Sequence, residues 1–142
     1  MTIQEIQEEI ISDFSVMGSW EDKYEYIIQL GKELPLIADE YKTPDNLIKG
    51  CQSRVWLHTE LKDGKLFFTA DSDAVITKGL VSLMIYVLSG HTPKDIAAAD
   101  IHFIDAIGLS SHLSPTRSNG LLSMLKQMKL YAVAYQAKIN QQ

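Results

Sequence analysis

The lone cysteine of this 142-residue chain, Cys51, stands in the run Leu47-Ile48-Lys49-Gly50-Cys51-Gln52-Ser53-Arg54-Val55-Trp56. It sits between a glycine and a polar pair, just ahead of a stretch that alternates like a strand. Such a thiol falls on a loop feeding a sheet, and loops on a rigid scaffold commonly carry function. Lys49 and Arg54 flank it; positive charge favours the thiolate, which is the nucleophilic form. Gly50 removes a side chain and opens backbone angles that other residues avoid, so a partner can come close. The competing reading is a small buried hydrophobe, because free cysteine is among the most buried residue types. Residue chemistry alone leaves the two readings level.

Other chemistries fit the inventory less well. The four histidines, His58, His91, His102 and His112, show no tight ligand spacing with the cysteine, whereas structural zinc takes four ligands. They read as exposed surface histidines, with no metal expected. An iron-sulfur cluster needs several thiolates and the chain offers one. A cysteine hydrolase needs a histidine and an asparagine or aspartate converging on the thiol, and no such family signature surrounds Cys51. A thiol relay needs only one nucleophilic cysteine, access and a docking face. Sulfane sulfur passes when a thiolate attacks the outer sulfur of a persulfide, in the manner of thiol-disulfide exchange. That reaction calls for no cofactor on this chain.

Composition sets the frame. Hydrophobic residues make up 46% and charged residues 22% of the chain, as in ordinary globular proteins. Residues 1–142 are expected to form one domain with a single core. A net charge of −5 argues against a nucleic-acid partner, which would demand a basic stripe. The longest strongly apolar stretch, Gly79 to Leu88, is too short to span a bilayer. One cysteine forms no internal disulfide and no signal-like segment opens the chain. The expected location is therefore the cytoplasm, away from membranes.

The elements that must position Cys51 are legible from periodicity. Thr2 and Glu5 form a capping box, and Ile3, Ile6, Ile10 and Phe14 recur at helical spacing over residues 3–15. After Gly18, Ser19 caps a second helix with Tyr24, Ile27, Ile28 and Leu30 inward and Pro35 at its end. Thr43-Pro44-Asp45 marks a turn or a single helical turn. Beyond Cys51 the period becomes two, and Asp63-Gly64 is a hairpin turn. That turn sets Leu61 opposite Leu66, Thr59 opposite Phe68, Leu57 opposite Ala70 and Trp56 opposite Asp71, with Leu47-Ile48 available as a short third strand. It also brings Asp71-Ser72-Asp73 beside the foot of the strand that follows Cys51. Ser72 or Asp73 is expected to cap a central helix from Ala74 to about Ser89, apolar nearly all round and hence buried. Gly79 inside that helix should permit close packing against the hairpin or the loop. Thr92-Pro93 starts a short helix, residues 101–109 form another, and Ser114-Pro115 opens a long last helix. The fold class is α+β, with one face of a two- to three-stranded antiparallel sheet covered by N-terminal and C-terminal helices.

The run Gly50-Cys51-Gln52-Ser53-Arg54-Val55-Trp56 resembles the signature of the SufE family of sulfur-acceptor proteins. Further blocks follow in that family's order: Asp71-Ser72-Asp73-Ala74, Lys78-Gly79-Leu80 and Leu113-Ser114-Pro115-Thr116-Arg117-Ser118-Asn119-Gly120. Trp20-Glu21-Asp22-Lys23-Tyr24 and Leu30-Gly31-Lys32-Glu33-Leu34-Pro35 fit upstream. The resemblance covers nearly the whole chain as one SufE-like domain, with a SufE/IscU-like fold, and spans the SufE and CsdE branches alike. It implies that Cys51 accepts sulfur from the persulfide of a SufS-like cysteine desulfurase, which it stimulates. It implies delivery to a SufB-containing, SufBCD-like scaffold complex for iron-sulfur cluster assembly. Pyridoxal phosphate belongs to the desulfurase, so no cofactor is expected here.

Around the thiol, Lys49, Gly50, Gln52, Ser53 and Arg54 are expected to contact the partner, tune the thiol or keep the loop solvated. The resemblance makes Arg117 a candidate for the cysteine's neighbourhood or the partner interface; otherwise it is an exposed arginine. Asp73, like Asp71, reads first as a helix cap, and Asp73 also joins the residues expected to tune the thiol or meet the partner. Trp20 and Trp56 read as core or half-buried anchors rather than substrate platforms. A carrier must shelter its persulfide, so Cys51 is expected to face an apolar cavity near the central helix. The rival is a non-catalytic adaptor in which the loop docks on a partner and Cys51 merely packs.

Overall fold

The computed structural model describes residues 1–34, 37–50 and 53–140. Helix α1 (Ile3–Ser15) begins in the expected capping box: Thr2 Oγ1 accepts from the Glu5 N–H, and Glu5 Oε1 accepts from the Thr2 N–H. Its buried Gln7 donates to the Asp100 carbonyl and accepts from the His102 and Phe103 N–H groups, which ties the helix to a distant loop. Helix α2 (Trp20–Lys32) is capped by Ser19, whose Oγ accepts from the Asp22 N–H. It ends at Lys32; Pro35, the expected terminator, lies outside the described residues. Single 3-10 turns follow at Asp39–Tyr41 and Pro44–Asn46.

Strands β1 (Val55–Lys62) and β2 (Lys65–Ser72) pair antiparallel in the expected register, with Leu61 on Leu66, Thr59 on Phe68, Leu57 on Ala70 and Trp56 on Asp71. Asp63 and Gly64 turn the hairpin with φ of 54° and 78°, the left-handed angles that a tight Asp-Gly turn needs. Val55, Leu57, Leu66, Phe68 and Ala70 are buried on one face. Thr59 of the same set is only half-buried. Leu47-Ile48 adds a single bridge to Trp56 rather than a third strand.

Helix α3 (Val75–Leu88) lies at the centre, with nine of its residues buried. Its start departs from expectation. Ala74 occupies the N-cap with no side-chain bond to the helix, because the Asp73 carboxylate is drawn instead to Arg54. Gly79 also has a different neighbour. A Cβ there would stand 2.1 Å from the Ile27 carbonyl oxygen of α2, so the glycine admits the second helix and not the hairpin or loop.

Helix α4 (Pro93–Ala98) is capped by Thr92. The single piece expected over residues 101–109 is two short helices, α5 (Phe103–Ala106) and α6 (Leu109–His112), divided where Gly108 takes φ 85°. Helix α7 (Pro115–Asn140) packs along α4 and closes the core through Leu121, Met124, Met128 and Ala132. The architecture is α+β, a two-stranded antiparallel sheet flanked by helices. No helix among the described residues is long and apolar enough to cross a membrane.

Candidate functional site

Cys51 and Gln52 lie outside the described residues, so the site is built from what surrounds them. The chain enters and leaves them through a narrow stem. The Ile48 N–H donates to the Val55 carbonyl at 2.9 Å, and Leu47 bridges Trp56. On the far side of the leaving strand, Asp73 holds Arg54 twice. Its Oδ1 accepts from the Arg54 N–H at 3.0 Å and its own N–H donates to the Arg54 carbonyl at 3.3 Å. The second bond continues the hairpin ladder one residue beyond the Val55–Ser72 pair. The first uses a side chain to fix the direction in which the loop departs.

Gly50 stands on the entering side with φ 88°, and a Cβ built on it would lie 2.9 Å from Ser123 Oγ of α7. Two demands meet at this position, a left-handed backbone and close approach to a helix, and glycine satisfies both. Ser53, half-buried, accepts a long 3.5 Å hydrogen bond from Thr77 in the first turns of α3.

Beneath the stem lies a small cleft of ≈ 30 Å³ between α3 and α7. Val55, Leu80, Val81, Leu121 and Met124 make it apolar; Ser53, Thr77 and the half-buried Arg117 supply its polar groups. The structure thus brings Ser53 and Arg117 of the expected set to one cleft and joins Arg54 to Asp73. Lys49 and Arg54 are exposed, open to a partner or to solvent. Asp73 and Asp71 are not helix caps.

Asp71 is the hub of an ion cluster. Lys42 Nζ stands 2.8 Å from one carboxylate oxygen and Lys78 Nζ 3.3 Å from the other, while the Ser72 N–H donates to it at 2.8 Å. Burial pushes this carboxyl upward, but the bonds from Lys42, the Ser72 backbone and Lys78 outweigh it, and the group titrates below its ordinary value. The Asp71 bond in turn holds the Lys42 ammonium above its usual value, against the opposing effect of burial. Lys42 also sits 5.9 Å over the Trp56 ring, within cation–π range. The cluster ties the 3-10 region, β2 and the start of α3 together, with Trp56 of β1 under the Lys42 ammonium.

Sequence reasoning missed Thr77, Ser123 and Lys42, and named Lys78 only within a family block, with no role. The expected Trp56–Asp71 pairing was the signal that pointed toward the cluster, since it set two acidic residues beside the loop. The histidines also differ from expectation: His58, His91 and His102 are half-buried, and His58 stacks on Tyr41 with ring centres 3.6 Å apart. Only His112 is exposed, and it stacks on Trp20 at 4.1 Å. Both tryptophans are half-buried, as expected.

The chain is similar to a known family and to several known proteins. A family model described as "SufE: Fe-S metabolism associated domain" matches residues 8–132. An uncharacterized SufE-like protein of Rhizobium etli is 43% identical over 127 residues, covering 86% of each chain. One from Rhizobium meliloti is 40% identical over 127 residues, covering 86% of this chain and 91% of its own. The solution structure of a hypothetical protein from Thermus thermophilus shares the fold with a TM-score of 0.76 at 17% identity, over 91% of this chain and 94% of that one.

Proposed function

The chain belongs to the SufE family, associated with Fe–S metabolism, and on that premise we propose that it carries sulfur on Cys51. The Cys51 thiolate attacks the outer sulfur of a persulfide on a SufS-like cysteine desulfurase. A new S–S bond forms on Cys51, the donor's S–S bond breaks, and the donor cysteine leaves as a thiolate. The step needs no external oxidant. Repeating it toward an acceptor thiol of a SufB-containing, SufBCD-like scaffold completes the relay, and removal of the persulfide frees the desulfurase to turn over again. A reducing cytoplasm suits a carrier whose working group is a free thiol.

The observation that supports this reading best is the tethered stem. Asp73, Ile48 and the Leu47–Trp56 bridge fix both ends of a six-residue stretch, 49–54, within which Cys51 falls in sequence. The apolar cleft with Arg117 and Thr77 beside Ser53 offers shelter and one cation in the same place. Positive charge stabilises a thiolate or persulfide anion.

The test pairs two measurements on Cys51→Ser: calorimetry of binding to the desulfurase, and intact-mass analysis after mixing with desulfurase and L-cysteine. Serine leaves the fold and binding in place but cannot form a persulfide. The parent should gain one sulfur, about 32 mass units, and the variant none. A variant that stimulates sulfide release as the parent does would make the protein an adaptor and end the relay reading.

A further inference from the structure

A second concave site lies at the opposite end of α3, away from the cysteine loop. Residues of α1, α2 and the C-terminal half of α3 line a pocket of ≈ 520 Å³, within the range of small-molecule sites. Its floor is apolar, from Ile10, Phe14, Leu30 and Leu83. Two phenols wall it. Tyr26 meets Phe14 edge-on at 5.4 Å, and Tyr86, 53% exposed, is held at the mouth by its hydroxyl donating to Glu9 at 3.1 Å.

The charge in this pocket has one sign. Glu9 and Asp13 line it from α1 and Glu33 from just past α2, and no lysine or arginine shares the lining among the described residues. None of these three carboxylates forms a salt bridge among the described residues. Their field converges on the phenols: after burial, Asp13, Glu33 and Glu9 each push the Tyr26 hydroxyl above its ordinary value. Tyr86 is raised too, by its bond to Glu9 first and then by burial.

We propose that this pocket binds a small aliphatic polyamine, with cationic nitrogens spaced by methylene runs. Carboxylates on two walls meet separate ammonium groups, the phenol faces add cation–π attraction, and the methylenes lie on the apolar floor. A single metal ion would leave that floor and both aromatic walls unused. The volume exceeds what one lysine or arginine side chain from a docked protein fills. The site is independent of Cys51 and of the sulfur-relay reading.

Titration of the full chain with spermidine at about 0.15 M salt, followed by calorimetry and by shifts of the Tyr26 and Tyr86 ring resonances, tests this. Saturable one-to-one binding is expected. Glu9→Gln with Glu33→Gln should weaken it at least tenfold, Tyr86→Ala severalfold, and 1,8-octanediol should not bind. Circular dichroism and thermal melts confirm that each variant is folded; Tyr86→Phe, which keeps the ring and the fold, should bind nearly as the parent does. Several outcomes overturn the proposal: Mg²⁺ at equal ionic strength displacing spermidine as well as a second polyamine does, binding unchanged by the carboxylate pair, or a lysine-rich peptide binding where spermidine does not.

Discussion

Asp73 grips the backbone of Arg54 from both sides, accepting from its N–H at 3.0 Å and donating to its carbonyl at 3.3 Å. Only one of these bonds depends on the side chain. The carboxylate therefore adds to a ladder that the backbone already extends, and it acts where the strand gives way to the cysteine loop.

Asp73→Ala should accordingly be a loop mutation rather than a folding mutation. The residue is exposed, so loss of the charge-assisted bond costs about 1 kcal/mol or less. The Arg54 amide should exchange with deuterium markedly faster, sulfur uptake in the proposed relay should fall severalfold, and the thermal midpoint should move only a few degrees. Asp73→Asn keeps an acceptor oxygen and should recover most of the uptake. If alanine and asparagine behave alike, the carboxylate's charge matters and its geometry does not.

Gly50 should resist substitution for a backbone reason. Its φ of 88° costs an alanine about 1–2 kcal/mol. The 2.9 Å approach to Ser123 Oγ adds less, because a serine can rotate away. Gly50→Ala should thus lose about that much stability in urea unfolding, and adding Ser123→Gly should return little of it. Full recovery in the double variant would reverse the ranking of the two causes.

The hairpin was the most legible part of the chain. A period of two on either side of Asp63-Gly64 determines every partner, since a one-residue slip would turn Leu57, Phe68 and Ala70 to water. Of the candidate site, the family blocks singled out Ser53, Arg54, Asp73 and Arg117, which do gather at the stem and its cleft. What stayed hidden depends on packing: Asp73 bonds a strand in preference to the helix it precedes, and Gly79 meets α2 because α2 crosses there. A cap and a clamp use the same residue type, and only the third dimension chooses between them.

That crossing gives a sharp stability prediction. Alanine at position 79 would improve helix propensity by about 1 kcal/mol. Its Cβ, however, would lie 2.1 Å from the Ile27 carbonyl oxygen and 2.7 Å from Ile27 Cγ2. Backbone yields poorly, so overpacking prevails and Gly79→Ala should lose about 3 kcal/mol in urea unfolding. A neutral or stabilised variant would mean that α2 slides freely on α3.

Acid should weaken the Asp71 cluster. The Asp71 carboxyl is lowered in the folded state from its ordinary 3.8, so its stabilisation is fully present above that value and fades as pH falls through the lower folded one. The thermal midpoint should drop on acidification below about pH 4, and Asp71→Asn should reduce that dependence while lowering stability at neutral pH. Glu5, lowered by its bonds to Thr2, contributes in the same window. The Lys42 ammonium is raised from 10.5, so its share persists below that pH and is lost as pH climbs through the higher folded value. An acid profile identical in Asp71→Asn and the parent would remove Asp71 as a cause.

Arg117 separates thiol tuning from partner contact. It lines the cleft with Ser53 and Thr77 and is half-buried, so its charge is less screened than that of the exposed Lys49 or Arg54. Removing a cation near a thiol raises the thiol's pKa. In Arg117→Met, which keeps an apolar stem in the cleft, the pH at which Cys51 alkylates at half its maximal rate should rise. Arg117→Lys should restore most of that midpoint while losing the planar fork. Lys49→Met, at an exposed site, should leave the midpoint nearly fixed. Desulfurase affinity measured on the same variants supplies the contrast. If Arg117→Met weakens binding but leaves the alkylation midpoint where it was, the arginine belongs to the docking surface and does not tune the thiol.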